Sequence, residues 1–161
     1  MNAPPLGRRL LAELLGSAFL AAVVIGSGIA AQTLSPNDVG LELLENAAAT
    51  GAGLFAIILM FGPVSGGHFN PVVSLVDASF GGLRWRDAAA YFFTSSTSFA
   101  NPAISVGRMF SDTFAGIAPA SVPGFVAAQL VGGAAAILVL RALYPDVTPD
   151  EAAAVVVPQV E

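Results

Sequence analysis

The sequence has no cysteine, no lysine and a single histidine, and it contains only six basic and 11 acidic residues among 161. The absence of cysteine excludes disulfide bonds and thiol chemistry and leaves the redox compartment undetermined. His68 has no second histidine, no cysteine and no cluster of carboxylates beside it in the sequence, so no set of metal ligands is evident. We therefore expect a protein that is not an enzyme and that needs no metal ion and no cofactor.

Apolar residues dominate what is present. They make up 55% of the chain, and there are 17 glycines, a balance unlike that of an ordinary soluble domain. Crossing the ~30 Å hydrocarbon core of a bilayer takes about 20 apolar residues as a helix, and residues 10–31, 47–67 and 122–140 each have this length. Arg8 and Arg9 precede the first segment, as in a signal peptide, but the apolar run is longer than usual and two more follow it. We interpret all three as membrane spans.

The acidic residues are concentrated in two places. Asp38, Glu42 and Glu45 lie between the first two spans, and residues 146–161 form an acidic tail. We interpret both regions as solvated surface. The sequence thus predicts a single transmembrane domain over residues 1–145 and a disordered tail over residues 146–161.

The basic residues predict the orientation. They are Arg8, Arg9, Arg84, Arg86, Arg108 and Arg141. Because cytoplasmic loops carry an excess of basic residues, five of the six lie inside if both termini are cytoplasmic and the chain crosses outward between Arg86 and Asn101. The segment available for this crossing, residues 85–96, would rise only about 18 Å as a helix. Arg108 is expected to pair with Asp112 one helical turn later.

Two Asn-Pro pairs stand 31 residues apart, at Asn70-Pro71 and Asn101-Pro102, and each precedes a short apolar run. Asn is favoured at the N-cap of a helix, and Pro at the first helical position loses no hydrogen bond. The runs are two to three turns long, so each pair predicts a helix that stops partway through the membrane. Asn-Pro is also a common turn dipeptide, but two copies in an apolar chain favour paired half-helices whose N-termini meet at a pore.

The stretches SGGHFNPVVSL and FANPAISV resemble the two Asn-Pro-Ala boxes of the aquaporin or major intrinsic protein family, with Val72 at the alanine position of the first. AELLGSAFL and PGFVAAQLVGGAAA are similar to the opening and last helices of that family. The resemblance implies an all-α membrane protein, an aquaporin-like bundle with two re-entrant half-helices. The boxes are too close together for all six spans of the family. We therefore expect a truncated bundle with three full spans and one short hybrid span, lacking the late third to early fifth spans.

The resemblance also implies roles for individual residues. Thr50 and Ile104 occupy the positions of the selectivity filter, where water-selective members have an aromatic residue and an arginine, and both changes widen the constriction. Glu13 is expected to hydrogen-bond the backbone of the loop ahead of the first box. That loop contains Gly66 and Gly67, which let it fold back, and His68, which is expected to pack in it and line the pore. The expected pore boxes are Asn70, Pro71 and Val72 for the first and Asn101, Pro102 and Ala103 for the second.

The implied function is a passive membrane channel for small uncharged solutes such as water, glycerol-like polyols or arsenous acid. The sequence is similar to a bacterial branch of the family that is associated with arsenic resistance. The alternative is an inactive or assembly-only aquaporin remnant that cannot complete a pore. The expected partners are the lipid bilayer, the solute and further copies of the chain, with a tetramer implied by the family, and no nucleic acid. The expected location is a bacterial inner membrane.

Overall fold

Three long helices account for the predicted membrane spans. The structure, a computed structural model, describes residues 4–92, 101–113, 115–145 and 148. In this part of the chain the regular structure is entirely helical. The helices are α1 (Leu6–Leu34), α2 (Val39–Ser65), α3 (Pro71–Ser79), α4 (Trp85–Phe92), α5 (Pro102–Gly107) and α6 (Val122–Leu143), with short 3-10 turns at Arg108–Phe110 and Pro119–Ser121. The all-α class predicted from the sequence is confirmed.

Helices α1 and α2 form an antiparallel pair. Both are long and apolar enough to cross a membrane, as is the segment Pro119–Leu143 that contains α6. Between α1 and α2 lies a buried cluster of Leu20, Val24, Ile57 and Phe69, with apolar side chains of α2 packed against it. Phe69 follows α2 in the chain, so this pair also buries part of the loop that leads to α3.

The acidic segment between the first two spans differs from its prediction. Asp38 is the N-cap of α2, and its carboxylate accepts a hydrogen bond from the backbone N–H of Leu41 at 3.0 Å. Glu42 and Glu45 therefore belong to the first two turns of the helix, and Glu42 is buried. The prediction of a solvated loop is wrong here because a capped helix start accommodates negative charge near its N–H groups.

Both Asn-Pro pairs begin short helices. The carboxamide oxygen of Asn70 accepts a hydrogen bond from the N–H of Val72 at 2.9 Å, and Pro71 is the first residue of α3. Pro102 likewise opens α5, which has six residues and continues into the 3-10 turn Arg108–Phe110. Neither α3 nor α5 is long enough to cross a bilayer.

Helix α4 is the described part of the predicted hybrid span. It has eight residues, Trp85–Phe92, and rises about 12 Å. Residues 93–96 of that predicted helix lie outside the described residues, and so does the predicted tail apart from residue 148. The domain boundary at residue 145 stays a prediction.

One end of the bundle gathers most of the arginines. Arg9 of α1 bonds the Asp87 carboxylate of α4 at 3.3 Å, and Arg84 reaches the same oxygen at 3.4 Å. At the end of α6, Arg141 donates to the backbone carbonyl of Ser79 at 2.9 Å. The start of α1, the turn between α3 and α4 and the end of α6 therefore share this end.

The close approach of α1 to Phe69 generates a stability prediction. A Cβ atom added at Gly16 would overlap the Phe69 ring, whereas one added at Gly26 on the same helix would meet nothing within 4 Å. We expect Gly16→Ala to lower the stability of the protein in detergent by about 1–3 kcal/mol through overpacking. Gly26→Ala is the matched control and should leave stability unchanged or raise it, because Ala is the better helix former. Thermal unfolding measures both, and a Gly16→Ala melting temperature at or above that of Gly26→Ala would contradict the packing described here.

Candidate pore site

The turn from Gly66 to Asn70, here called the re-entrant turn, reverses the chain between α2 and α3. Its backbone has positive φ angles at Gly66 (94°), Gly67 (67°) and Phe69 (46°). Glycine adopts this region freely, while a bulky residue such as Phe rarely does so. The surrounding structure must therefore hold Phe69 in place.

The carboxylate of Glu13 in α1 holds Phe69 and its neighbours in place through hydrogen bonds. Its Oε1 atom accepts hydrogen bonds from the Ser65 hydroxyl at 2.7 Å and from the His68 N–H at 3.0 Å. Its Oε2 atom accepts one from the Phe69 N–H at 2.7 Å. The carboxylate is fully buried. Because all three donors converge on it, Glu13 satisfies two backbone N–H groups of the re-entrant turn that have no helical partner.

Further polar groups extend this arrangement toward α4. The Tyr91 hydroxyl donates to the Ser65 carbonyl at 2.8 Å and accepts from Arg9 Nε at 3.0 Å. The N–H of Gly67 donates to Ser65 Oγ at 3.2 Å. Sequence reasoning missed Ser65, Tyr91 and Arg9 as parts of the site. Their contacts span from 26 to 82 residues along the chain, and no local pattern indicates such pairs.

His68 is held in the same network. Its Nδ1 atom lies 3.0 Å from Ser74 Oγ, and its Nε2 atom lies 3.6 Å from a carboxylate oxygen of Asp77. Its ring meets the Tyr91 ring edge-on, with centroids 5.4 Å apart. His68 thus joins the re-entrant turn to α3 and α4, and its expected role in lining a pore stays a prediction.

The two Asn-Pro boxes meet at the re-entrant turn. The Asn101 side chain donates from Nδ2 to the backbone carbonyl of Phe69 at 2.7 Å, and Phe69 immediately precedes Asn70. Asn101 is fully buried, whereas Asn70 is partly exposed. The N-termini of α3 and α5 therefore lie side by side, as paired half-helices require.

A second polar chain reaches the same point from α6. The Gln129 amide donates from Nε2 to Ser105 Oγ at 2.8 Å. Ser105 Oγ in turn donates to the Asn101 carbonyl at 3.0 Å. Gln129 is 8% exposed, and Ser105 is fully buried. No local pattern indicates this connection either, apart from the position of Gln129 as a polar residue inside an apolar helix.

An open groove of about 570 Å³ runs between α3 and α6 beside the first box. Its lining residues are apolar except for Asn70 and the mostly buried Gln129. The lining residues are Asn70, Val72, Val73, Val76, Phe125, Ala128, Gln129, Gly132, Gly133 and Ala136. The groove is therefore a hydrophobic surface with two polar residues, Asn70 and Gln129, in its lining.

The residues predicted as a filter lie elsewhere. Ile104 is 1% exposed, and the Thr50 hydroxyl oxygen is buried with no hydrogen-bond partner among the described residues. The groove lining includes neither of them. Pro71 and Pro102 are buried at the starts of their helices, and the Ala103 side chain lies outside the described part of the structure. A filter role for Thr50 and Ile104 stays a prediction.

The ion pair predicted between Arg108 and Asp112 does not form. Within the described residues the ion pairs involve other side chains, and Arg108 is buried in the 3-10 turn while Asp112 is exposed. The prediction assumed a regular helix over both residues. Because α5 ends at Gly107 and the 3-10 turn at Phe110, the two side chains are no longer one α-helical turn apart.

Comparison with known proteins connects this geometry to a family. The sequence model described as Major intrinsic protein matches residues 1–98, more than half of the chain. The chain belongs to the major intrinsic protein family. The three helices long and apolar enough to cross a membrane agree with a membrane channel family. The structural comparison adds no neighbour, because no solved structure matches the chain.

Curated relatives within this family include a bacterial protein and several eukaryotic ones. Aquaglyceroporin AqpS of Rhizobium meliloti (strain 1021) is 34% identical over 218 aligned positions, which cover 89% of this chain and 93% of AqpS. Aquaporin NIP1-4 of Oryza sativa subsp. japonica is 33% identical over 120 positions, covering 74% of this chain and 42% of the relative. Aquaporin-10 of Milnesium tardigradum is 38% identical over 88 positions, covering 55% and 21% respectively.

The alignment with AqpS shows that this member of the major intrinsic protein family is shortened. Since 89% of 161 residues is about 143, about 75 of the 218 aligned positions have no residue of this chain opposite them. About 75 residues is enough for two to three membrane helices with their connections. The truncated aquaporin-like architecture predicted from the sequence agrees with this difference.

The contacts of Glu13 generate a second stability prediction. In Glu13→Gln one acceptor oxygen becomes an N–H₂ group, which then faces a donor of Ser65, His68 or Phe69. We expect the free energy of unfolding to fall by about 2–3 kcal/mol, the scale of hydrogen bonds to a charged group. The measurement is thermal or denaturant unfolding in detergent.

Glu45→Gln is the matched control. Glu45 accepts a hydrogen bond from the Ser35 hydroxyl at 3.0 Å through a single oxygen, which an amide oxygen can replace. Its effect should be small. If both variants lose equal stability, the convergence of donors on Glu13 is not what holds the re-entrant turn.

Proposed function

We propose that the protein is a passive membrane channel for small uncharged solutes such as water, glycerol-like polyols or arsenous acid. The observation that carries this proposal is the contact of Asn101 Nδ2 with the Phe69 carbonyl, 2.7 Å apart, next to Asn70. It puts the starts of two short helices side by side. Helix N-termini carry partial positive charge, so the pair opposes the passage of cations and protons and leaves uncharged molecules free to pass.

The groove beside the first box fits such a solute. Selection in aquaporin-type pores depends on pore diameter, on the hydrogen-bonding groups of the lining and on half-helix dipoles. The walls formed by Val72, Val76 and Phe125 offer no hydrogen bonds, and Asn70 is a partly exposed polar residue among them. A polyol or a small neutral acid would exchange water for the Asn70 amide along an apolar path. The name of AqpS, an aquaglyceroporin, agrees with this class of solute.

Thr50 and Ile104 are proposed as the selectivity filter on the resemblance to the family alone, since neither lines the groove beside the first box. Neither side chain carries charge, and Ile104 replaces an arginine. A filter of this kind would be wide and weakly polar and would admit solutes larger than water. Glu13, Gly66, Gly67 and His68 are proposed to support the pore loop. The proposed activity is transport alone, with no chemical step and no cofactor.

The alternative, an assembly-only remnant, also has an observation in its favour. The groove is open along one side, and about 75 aligned positions of AqpS are absent from this chain. Lipid that enters the groove offers no hydrogen bonds to its polar groups, such as the Asn70 amide, and each unsatisfied group costs several kcal/mol. A single copy would then be a poor channel.

We propose that the active form is a homo-oligomer in which neighbouring copies cover this open side. Exposed small residues on α1 would let a helix of another copy approach closely. They are Ala18, Ala22, Gly26 and Ala30. The exposed small residues of α6, Ala128, Gly132 and Ala136, line the groove instead. The family resemblance implies a tetramer in a bacterial inner membrane.

Solute flux tests the proposed function. Purified protein in liposomes is expected to raise glycerol permeability above that of protein-free vesicles, at a lower flux per chain than AqpS, and the conducting fraction should be oligomeric. Ala128→Trp, which fills the groove, should remove most of the flux, while Ala127→Trp on the adjacent exposed position should retain it. Stopped-flow light scattering and light-scattering size analysis provide the measurements. Absence of flux in oligomeric wild-type protein would favour the assembly-only alternative.

Membrane orientation provides an independent prediction. Arg9, Arg84 and Arg141 lie at one end of the bundle, and the excess of positive charge is expected on the cytoplasmic side. Reporter fusions after Arg86, Gly116 and Glu161 should therefore be inside, outside and inside. A periplasmic signal from the last fusion would rule out cytoplasmic termini.

A further inference from the structure

The second box is connected to α6 by a continuous chain of buried hydrogen bonds. The Gln129 amide donates to Ser105 at 2.8 Å, Ser105 donates to the Asn101 carbonyl at 3.0 Å, and the Asn101 side chain donates to the Phe69 carbonyl at 2.7 Å. Every one of these side chains is more than nine-tenths buried. The chain therefore runs from a membrane helix to the re-entrant turn without passing through solvent.

The direction of the bonds gives Gln129 a specific effect. A serine hydroxyl can accept and donate at the same time. Because Gln129 donates to Ser105 Oγ, the hydroxyl hydrogen of Ser105 points to the Asn101 carbonyl. That carbonyl also accepts the N–H of Ser105 at 3.0 Å, so two donors of one residue fix the backbone from which the Asn101 side chain projects.

The position of Gln129 in α6 supports this interpretation. After Gln129 the helix has no polar side chain until Arg141, and its neighbours Ala128 and Leu130 are exposed. A polar side chain at membrane depth is costly unless it hydrogen-bonds within the protein. Gln129 is turned inward, and its Nε2 atom makes that hydrogen bond to the second half-helix.

We propose that Gln129 is a positioning residue for the second box: acting through Ser105, its amide holds Asn101 where the Asn101 side chain reaches the Phe69 carbonyl. The consequence for transport rests on the proposed channel function, while the structural consequence does not. The first box is held directly by Glu13, a charged acceptor from α1. The second is held through a neutral relay from α6.

Two substitutions at Ser105 that are isosteric with each other separate the hydroxyl from the shape of the side chain. Ser105→Thr keeps the hydroxyl and adds a methyl group, and Ser105→Val has the shape of Thr without the hydroxyl. In hydrogen–deuterium exchange, Ser105→Val and Gln129→Met should each accelerate exchange in the peptide covering residues 101–110 by roughly fivefold, the effect expected of one buried hydrogen bond. Ser105→Thr should exchange at a rate close to that of the wild type. Unchanged exchange in residues 39–65 confirms that each variant is folded.

The double variant tests whether Gln129 acts through Ser105. In the Ser105→Val background, Gln129→Met should add little further acceleration, because the relay is already broken. Equal exchange in Ser105→Thr and Ser105→Val, additive effects in the double variant, or wild-type exchange in Gln129→Met would each overturn the proposal.

Flux through the same variants distinguishes this inference from the function on which it partly rests. If wild-type liposomes conduct glycerol, Ser105→Val and Gln129→Met should lose flux and Ser105→Thr should retain it. If the wild type does not conduct, the channel proposal fails, and the exchange rates still decide the role of Gln129. Loss of flux in Ser105→Val together with wild-type exchange would show that the residue acts in some way other than positioning and would overturn the inference.

Discussion

The buried carboxylate of Glu13 is the contact on which the rest of this structure depends. A backbone that turns back within a membrane exposes N–H groups for which lipid offers no acceptor. Glu13 accepts two of them, from His68 and Phe69, and the Ser65 hydroxyl as well. These bonds fix the position of Phe69. The Phe69 ring then packs closely against Gly16, and the Phe69 carbonyl accepts the hydrogen bond from the Asn101 side chain.

The sequence predicts those parts of this arrangement that depend on the local chemistry of a segment. Apolar length predicts the spans, and the preferences of Asn and Pro at helix starts predict α3 and α5. An isolated carboxylate inside a membrane span indicates a partner within the protein, and the glycines of the loop indicate a tight reversal. The segment around Glu42 was misjudged because acidic residues alone do not distinguish a solvated loop from a capped helix start.

The contacts that complete the site were not predictable in the same way. Tyr91, Arg9 and Gln129 meet the half-helices only because the fold brings distant segments together, and the sequence contains no periodicity that links them. The surroundings of Thr50 and Ile104 were not predictable for a different reason. Their expected role was transferred from complete members of the family, which carry spans that this chain lacks. Their surroundings in the shortened bundle do not follow from the position of a residue in a motif.

The two boxes differ in how they are held, and this difference bears on what shortening does to the fold. Glu13 belongs to α1, which packs along α2 and needs no other segment to place its carboxylate beside the re-entrant turn. The second box instead depends on α6 through Gln129 and on the first box through Phe69. Hydrogen bonds to a charged acceptor are about twice as strong as those between neutral groups. The first half-helix therefore keeps its support in a shortened chain, and the integrity of the paired boxes depends on the docking of α6.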